Sequence, residues 1–248
     1  MFFKILIKLI IFLRNTLPLN KITHHKYLNK NQVTNLTVAL NSLKNRGYEP
    51  DNIFDIGCFQ GIWSKKTSEI FTKSIFFLYD ANNENEKYLK LLNLKNKFFY
   101  KFKLFSDDIK DYEFYKMHSG SSIFEEKSSY PRKQVILKSS LLSDEMTTDI
   151  QKTFNNLIKI DAQGAEIKIL KGLGKYINNF EVIILEVSIH EYNKNGPLFD
   201  EVILYMKSKN FLLYDIYDLK RLGENNSFLI QFDCIFVRNN SSLLNVKF

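Results

Sequence analysis

The chain holds only two cysteines in 248 residues, Cys58 and Cys234, each inside an apolar segment. Two thiols so placed and so far apart make no disulfide framework, which points to a reducing compartment and a cytoplasmic location. No run of like charge reaches five or six residues, so the formal charge of +8 is scattered and not gathered into an arm for nucleic acid. A mild attraction to anionic surfaces is expected instead. Nor is there an apolar run of roughly 20 residues, the length a spanning helix needs. The opening MFFKILIKLIIFLRN is broken by Lys4 and Lys8, and no small-x-small cleavage site follows, so it reads poorly as a cleaved leader. On a helix, Lys4, Lys8 and Asn15 share one stripe, which suits either a peripheral helix lying on a membrane surface over residues 2–15 or a helix docked on the protein's own core or on a second subunit of a homo-oligomer.

Two familiar phosphate-binding patterns are missing as well. The stretch DIGCFQG (residues 55–61) departs from G-x-G-x-x-G, because positions 59 and 62 are Phe and Ile, and lacks the Gly-Lys-Ser/Thr of a Walker loop. A composition of 45% hydrophobic and 25% charged residues is that of a globular chain long enough to bury a large core.

Strand-like runs lie at 53–56, 74–80, 97–105, 156–161 and 182–188, with helix-like segments at 61–72, 83–93 and 164–172 between them. This alternation predicts an α/β domain with a mostly parallel sheet. A further helix is expected over 198–209, followed by FLLYDIY and FLIQFDCIFVR as an antiparallel pair at the sheet edge. Weak helical periodicity over 22–46 ends at Arg46-Gly47, which divides the chain into an N-terminal extension (1–46) and a domain (47–248). Residues 106–150 read as an insertion with a short hairpin at 111–117.

Ligands of such sheets bind at the carboxyl ends of the strands, and those ends carry acids here. Gly57 can take a backbone angle closed to other residues, and Gly61 lets the next helix start close to the strand. Asp80 closes the second strand about where an acid accepts ribose hydroxyls, although it could equally cap the following helix. Ser106 and Asp107 follow the third strand, Asp161 the fourth and Glu186 the fifth, with His190 and Glu191 just beyond. Asp161 and Glu186 could act as bases or hold a divalent cation such as Mg through oxygens. His190 offers an imidazole for proton transfer, with His118, beside Ser119, Ser121 and Ser122, ranked after it. Glu166 stands on a first helical turn, where an acid serves the helix dipole in any case.

DIGCFQG, LYDANNENEKYL, NLIKIDAQGAEIKILKGLG, VIILEVS and QFDCIFVR together resemble the FkbM-type S-adenosylmethionine-dependent methyltransferases, over residues 50–238. KIDAQGAEIKILKG is the most specific of these segments, and SGSSIFEE (119–126) is similar to a serine-containing stretch of that family. The resemblance implies a Rossmann-like seven-stranded methyltransferase sheet with an antiparallel last strand and helices on both faces. It implies S-adenosylmethionine as cofactor, with Asp55, Gly57, Cys58 and Gly61 at its methionine end, Asp80 and Ala81 at its ribose, and Ser106 and Asp107 on the adenine side. It further implies O-methylation, with a saccharide hydroxyl of a bacterial surface glycan or a related natural product as acceptor. The chain departs from the family at Cys58-Phe59, where Ala-Asn is usual, and at Asp80-Ala81, where Glu-Pro is usual. Those departures sustain a rival reading as a non-catalytic scaffold of the same fold. An NAD-dependent oxidoreductase is disfavoured by the missing third glycine and by residues 157–172.

Overall fold

The computed structural model describes residues 35–92 and 97–245. The basic apolar stretch 2–15 lies outside them. Among the described residues no helix is long and apolar enough to cross a membrane.

The chain runs α1 (Leu36–Asn45), β1 (Asn52–Ile56), α2 (Ile62–Ile70), β2 (Ile75–Asp80), α3 (Glu86–Leu89), β3 (Phe98–Phe102), β4 (Leu104–Phe105), β5 (Asp111–Lys116), β6 (Lys133–Ser140), α4 (Thr148–Gln151), β7 (Asn156–Ile160), α5 (Glu166–Leu173), β8 (Phe180–Ser188), α6 (Phe199–Ser208), β9 (Phe211–Leu222) and β10 (Phe228–Arg238). Seven strands form one sheet in the order β3-β2-β1-β7-β8-β10-β9. The first five are mutually parallel, and β10 runs antiparallel between β8 and β9. This is the Rossmann-like methyltransferase sheet that the sequence predicts.

The central strands are apolar because both faces are covered: every residue of β1 and of β7 is buried. One core lies under α5 and α6, with Phe54, Ile158, Ile169, Leu170, Leu173 and Met206. The other lies under α1 and α2, with Leu40, Leu43, Ile53, Leu157, Ile184 and Tyr217. The helix α1, assigned to the N-terminal extension on sequence grounds, therefore packs within the same compact unit as the sheet. Fully burying one of these Leu, Ile or Phe side chains contributes about 1.5–3 kcal/mol. Across β1, β2 and β3, registered partners Phe54, Phe77 and Phe99 stack with ring centroids 5.0 and 5.7 Å apart. Such cross-strand aromatic pairs fix register as well as adding area.

Residues 111–117 do not make the local hairpin expected of them. β5 pairs instead with β6, and β6 pairs in parallel with β4, giving a small second sheet. The alternation in DYEFYK marks a strand but not its partner, which lies beyond a loop of residues 117–132.

Candidate active site

The parallel strands end together on one side of the sheet, and the turn after β1 builds the site. Gly57 has φ +76°, and a Cβ there would lie 1.9 Å from the carbonyl oxygen of Asp161, so only glycine lets the β1 and β7 ends meet. Phe59 also takes a left-handed conformation, φ +49°. For a bulky residue this costs about 1–3 kcal/mol and persists only when its surroundings hold it. Asp80 does so: its Oδ2 accepts the Phe59 N–H at 2.7 Å, and its Oδ1 accepts the Asn82 N–H at 2.6 Å. Burial, opposed by those two bonds, pushes Asp80 up to about 6.

This turn walls a cleft at the strand ends. Gly57, Phe59, Asp80, Ala81 and Asn85 line one end, and Leu104, Phe105, Ala165 and Ile169 give an apolar wall. The combination of a buried acid, a glycine at the turn and an apolar slot suits a nucleoside. The carboxylate of Asp80 has roughly four lone-pair positions, so backbone caps leave it able to accept a further hydroxyl. Asp80 thus both caps the turn and faces the cleft.

Other residues expected here stand elsewhere. Asp55 is fully buried behind the cleft, where Ser64 donates to its Oδ2 at 2.6 Å and Lys159 lies 3.9 Å from its Oδ1. Cys58 turns into the core under α2. Gly61 has φ +71°, a backbone angle that strains any L side chain, and it does not line the cleft. Ser106 bonds Tyr112 and Asp107, and Asp107 pairs with Lys168 at 3.0 Å; neither lines the cleft, whose edge there is Lys103, Leu104 and Phe105.

A second cavity, with about 940 Å³ of empty space, is lined by His118, Ser119, Glu126, Tyr130, Asp161, Gln163, Tyr192, Lys220 and Gln231, among others. Asp161, His118 and Ser119 line both cavities. At this junction Asp161 Oδ2 takes Lys159 Nζ at 3.0 Å and its Oδ1 takes Gln163 Nε2 at 2.9 Å. Burial opposes the charge on Asp161, but Lys159 and Lys220 outweigh it and hold the carboxyl well below the usual range. Glu186 accepts from Gln163 and Lys220, and burial, then the charge of Asp161, pushes it well above the usual range. Gln163 thus bridges the two acids.

The structure brings Asp161 and Glu186 together as expected, yet ammonium and amide donors already occupy them. Among the described residues no group of three or more His, Cys, Asp or Glu is placed to hold a metal ion, so the expected Mg site gains no support. His190 is displaced from its expected role: exposed after β8, it stacks on Phe228 with centroids 4.4 Å apart and lines neither cavity. The imidazole at the junction is that of His118, edge-on to Phe59 at 4.8 Å. Glu166 is a buried latch. Its Oε1 accepts the Ala162 N–H at 2.9 Å and the Gly164 N–H at 3.2 Å, and burial pushes it up to about 7. Ser122 fastens the SGSSIFEE loop to the same turn by donating to Gln163 O at 2.8 Å.

Sequence reasoning passed over Lys159, Gln163, Lys220 and Gln231. Lys159 had a signal, since a lysine between Ile158 and Ile160 in a strand-like run must find anions if that run is buried. Lys220 had none; irregular pairing of β9 with β10 around Gln231 lets it reach Glu186.

A seven-stranded sheet of this order, with a cleft at its strand ends, has the architecture of the Rossmann-like methyltransferases. The family model described as the Methyltransferase FkbM domain matches residues 17–213, and the chain belongs to that family. Similar solved structures include TrmK from M. capricolum in complex with S-adenosylhomocysteine (13% identity, 81% of this chain and 68% of that one, TM-score 0.46). The precorrin-6y C5,15-methyltransferase of Geobacter metallireducens shares 11% identity over 84% of this chain and 92% of its own, with TM-score 0.45. A fibrillarin pre-rRNA processing protein of Methanococcus jannaschii shares 12% over 77% and 68%, with TM-score 0.46. A comparison with curated proteins gives no match.

Proposed function

We propose that the chain binds S-adenosylmethionine in the first cavity and methylates a hydroxyl of a saccharide held in the second. The observation that carries this reading is the junction: Asp161, His118 and Ser119 line both cavities, so a group in one can meet a group in the other. Asp80 and Ala81 would hold the ribose, Gly57 and Phe59 would pass beneath the cofactor, and Leu104, Phe105 and Ile169 would wall the base.

When bound, the cofactor supplies a methyl on a positively charged sulfur, which departs as a neutral thioether. The protein's part is to align the acceptor hydroxyl, exclude water and accept the proton released as the oxygen–carbon bond forms. Asp161 is held ionised and so is a weak base; it serves to accept the hydroxyl's hydrogen bond and orient it. His118 takes the place that His190 was expected to fill as the proton acceptor. Glu126, Tyr130, Tyr192 and Gln231 give the second cavity the mixture of acid, amide and ring that binds sugar hydroxyls. Residues 2–15 would bring the enzyme to the inner face of a membrane, which vesicle sedimentation with a chain lacking them would test.

Transfer of a labelled methyl group to a pool of extracted surface glycans, with Asp161→Asn as control, tests the reaction. Label in the glycan with the parent protein, and at least a hundredfold less with the variant, supports it. Bound cofactor with no transfer to any acceptor favours the non-catalytic scaffold.

A further inference from the structure

The acceptor cavity does not end at Tyr130. Met117, His118 and Tyr130 also line a third cavity, which continues outward past Lys116, Pro131, Arg132 and Lys133, with Glu84 as the one carboxylate on its lining. The junction and this outer groove therefore form one continuous surface. We infer that the outer groove binds a phosphate or diphosphate, and that the acceptor is a sugar still attached to one: a glycosyl diphosphate. This deepens the functional reading above and rests on it.

Three cations, one arginine and two lysines, line that groove, and each is held differently. The guanidinium of Arg132 is fixed by the carbonyls of Glu126 and Ser128, so a rigid cation stands in the groove at no further ordering cost. Its nearest acid, Glu125 at 3.7 Å, also pairs with Lys194. Lys116 reaches Asn83 Oδ1 at 3.2 Å and Glu84 at 3.4 Å, a loose pairing with a carboxylate that is itself largely exposed. The ammonium of Lys133 makes no hydrogen bond or ion pair among the described residues. Lys116 and Lys133 are registered partners on β5 and β6, so two strands of the small sheet present them side by side. Like charges directly opposite one another weaken a strand pair, and a bound anion would relieve that. The inner cavity differs in kind, since its lining carries two carboxylates, Asp161 and Glu126, and one ammonium, Lys220, which is paired with Glu186 behind it. Neutral hydroxyls suit the inner end and a phosphate suits the outer end, with Tyr130 between them.

Calorimetric titration with inorganic diphosphate at fixed salt tests the groove in the full chain. The parent protein should bind it, Lys133→Glu should weaken binding at least tenfold, and Lys116→Met should weaken it severalfold. The charge-matched surface variant Lys207→Glu, on α6, should bind as the parent does. Equal binding by the parent and Lys133→Glu, or an equal loss in Lys207→Glu, would overturn the groove. Two further ligands separate the sources of a diphosphate. A nucleoside diphosphate hexose that binds tighter than diphosphate marks a soluble sugar donor as acceptor, and a short polyprenyl diphosphate hexose that does so marks a lipid-linked one. If neither exceeds diphosphate itself, the acceptor assignment falls. S-adenosylmethionine titrated into the same samples should bind parent and Lys133→Glu alike. Its failure to bind would sink the methyltransferase reading while leaving the anion groove standing.

Discussion

The backbone N–H of Phe59 donates to the carboxylate of Asp80 at 2.7 Å, so the glycine turn after one strand is held shut by the acid that ends the next. Asp80 thus caps the turn while lining the cleft, and its capping is measurable by substitution. Asp80→Ala leaves the Phe59 and Asn82 donors without their acceptor, at about 1–3 kcal/mol for each donor that stays buried. Asp80→Asn keeps one acceptor oxygen and should fall between parent and alanine. Chemical denaturation of the three proteins checks this order.

Gly57 and Gly47 both have positive φ but differ in surroundings. A Cβ at Gly57 meets the Asp161 carbonyl at 1.9 Å, whereas one at Gly47 meets nothing within 4 Å. Gly47→Ala should therefore cost only backbone strain, about 1 kcal/mol. Gly57→Ala must push β1 and β7 apart and should lower the melting temperature far more, or prevent folding. Thermal melts of both variants decide it.

Glu166 makes an unusual contribution to pH dependence. Burial raises its folded-state value to about 7 from 4.5, so the native state binds the proton more tightly than the unfolded chain does. Its contribution is thus fully present below about 4.5 and is lost as pH rises through about 7. Glu166→Gln keeps an oxygen for the Ala162 and Gly164 N–H groups without titrating. Its melting temperature relative to the parent should rise between pH 4.5 and 7. A constant difference across that range would contradict the assignment.

The two loop histidines should behave in opposite ways. His118→Ala removes the imidazole at the cavity junction and should reduce methyl transfer by about 10²–10⁴-fold, the usual contribution of a proton acceptor. His190→Ala loses only a surface stack on Phe228 and should leave the rate within about twofold. Single-turnover rates on any active acceptor distinguish them.

Much of this architecture was legible in the sequence because the parallel strands are covered on both faces. NIFDI and NLIKI read as apolar runs, and the acid or polar turn that closes each marks the ligand side. Asp80 and Gly57 followed directly. The acceptor side did not, for three physical reasons. His118 and His190 are both loop histidines, and only the pairing of β5 with the distant β6 brings the first to the junction. Lys220 owes its place to an irregularity in strand pairing that no residue pattern announces. Ser106 and Asp107 follow β4, but β4 has already left the main sheet to pair with β6, which carries them past the cleft.

In the proposed function, Gly57, Phe59, Asp80 and Ala81 hold S-adenosylmethionine. The most direct test is calorimetric titration of the purified chain with that cofactor, beside Asp80→Ala and Ala81→Phe, each verified as folded by circular dichroism. The parent should bind one cofactor per chain, Asp80→Ala should bind at least tenfold more weakly, and the ring that Ala81→Phe places in the cleft should block binding. A folded parent chain that binds no cofactor, or one bound equally by all three proteins, would contradict it.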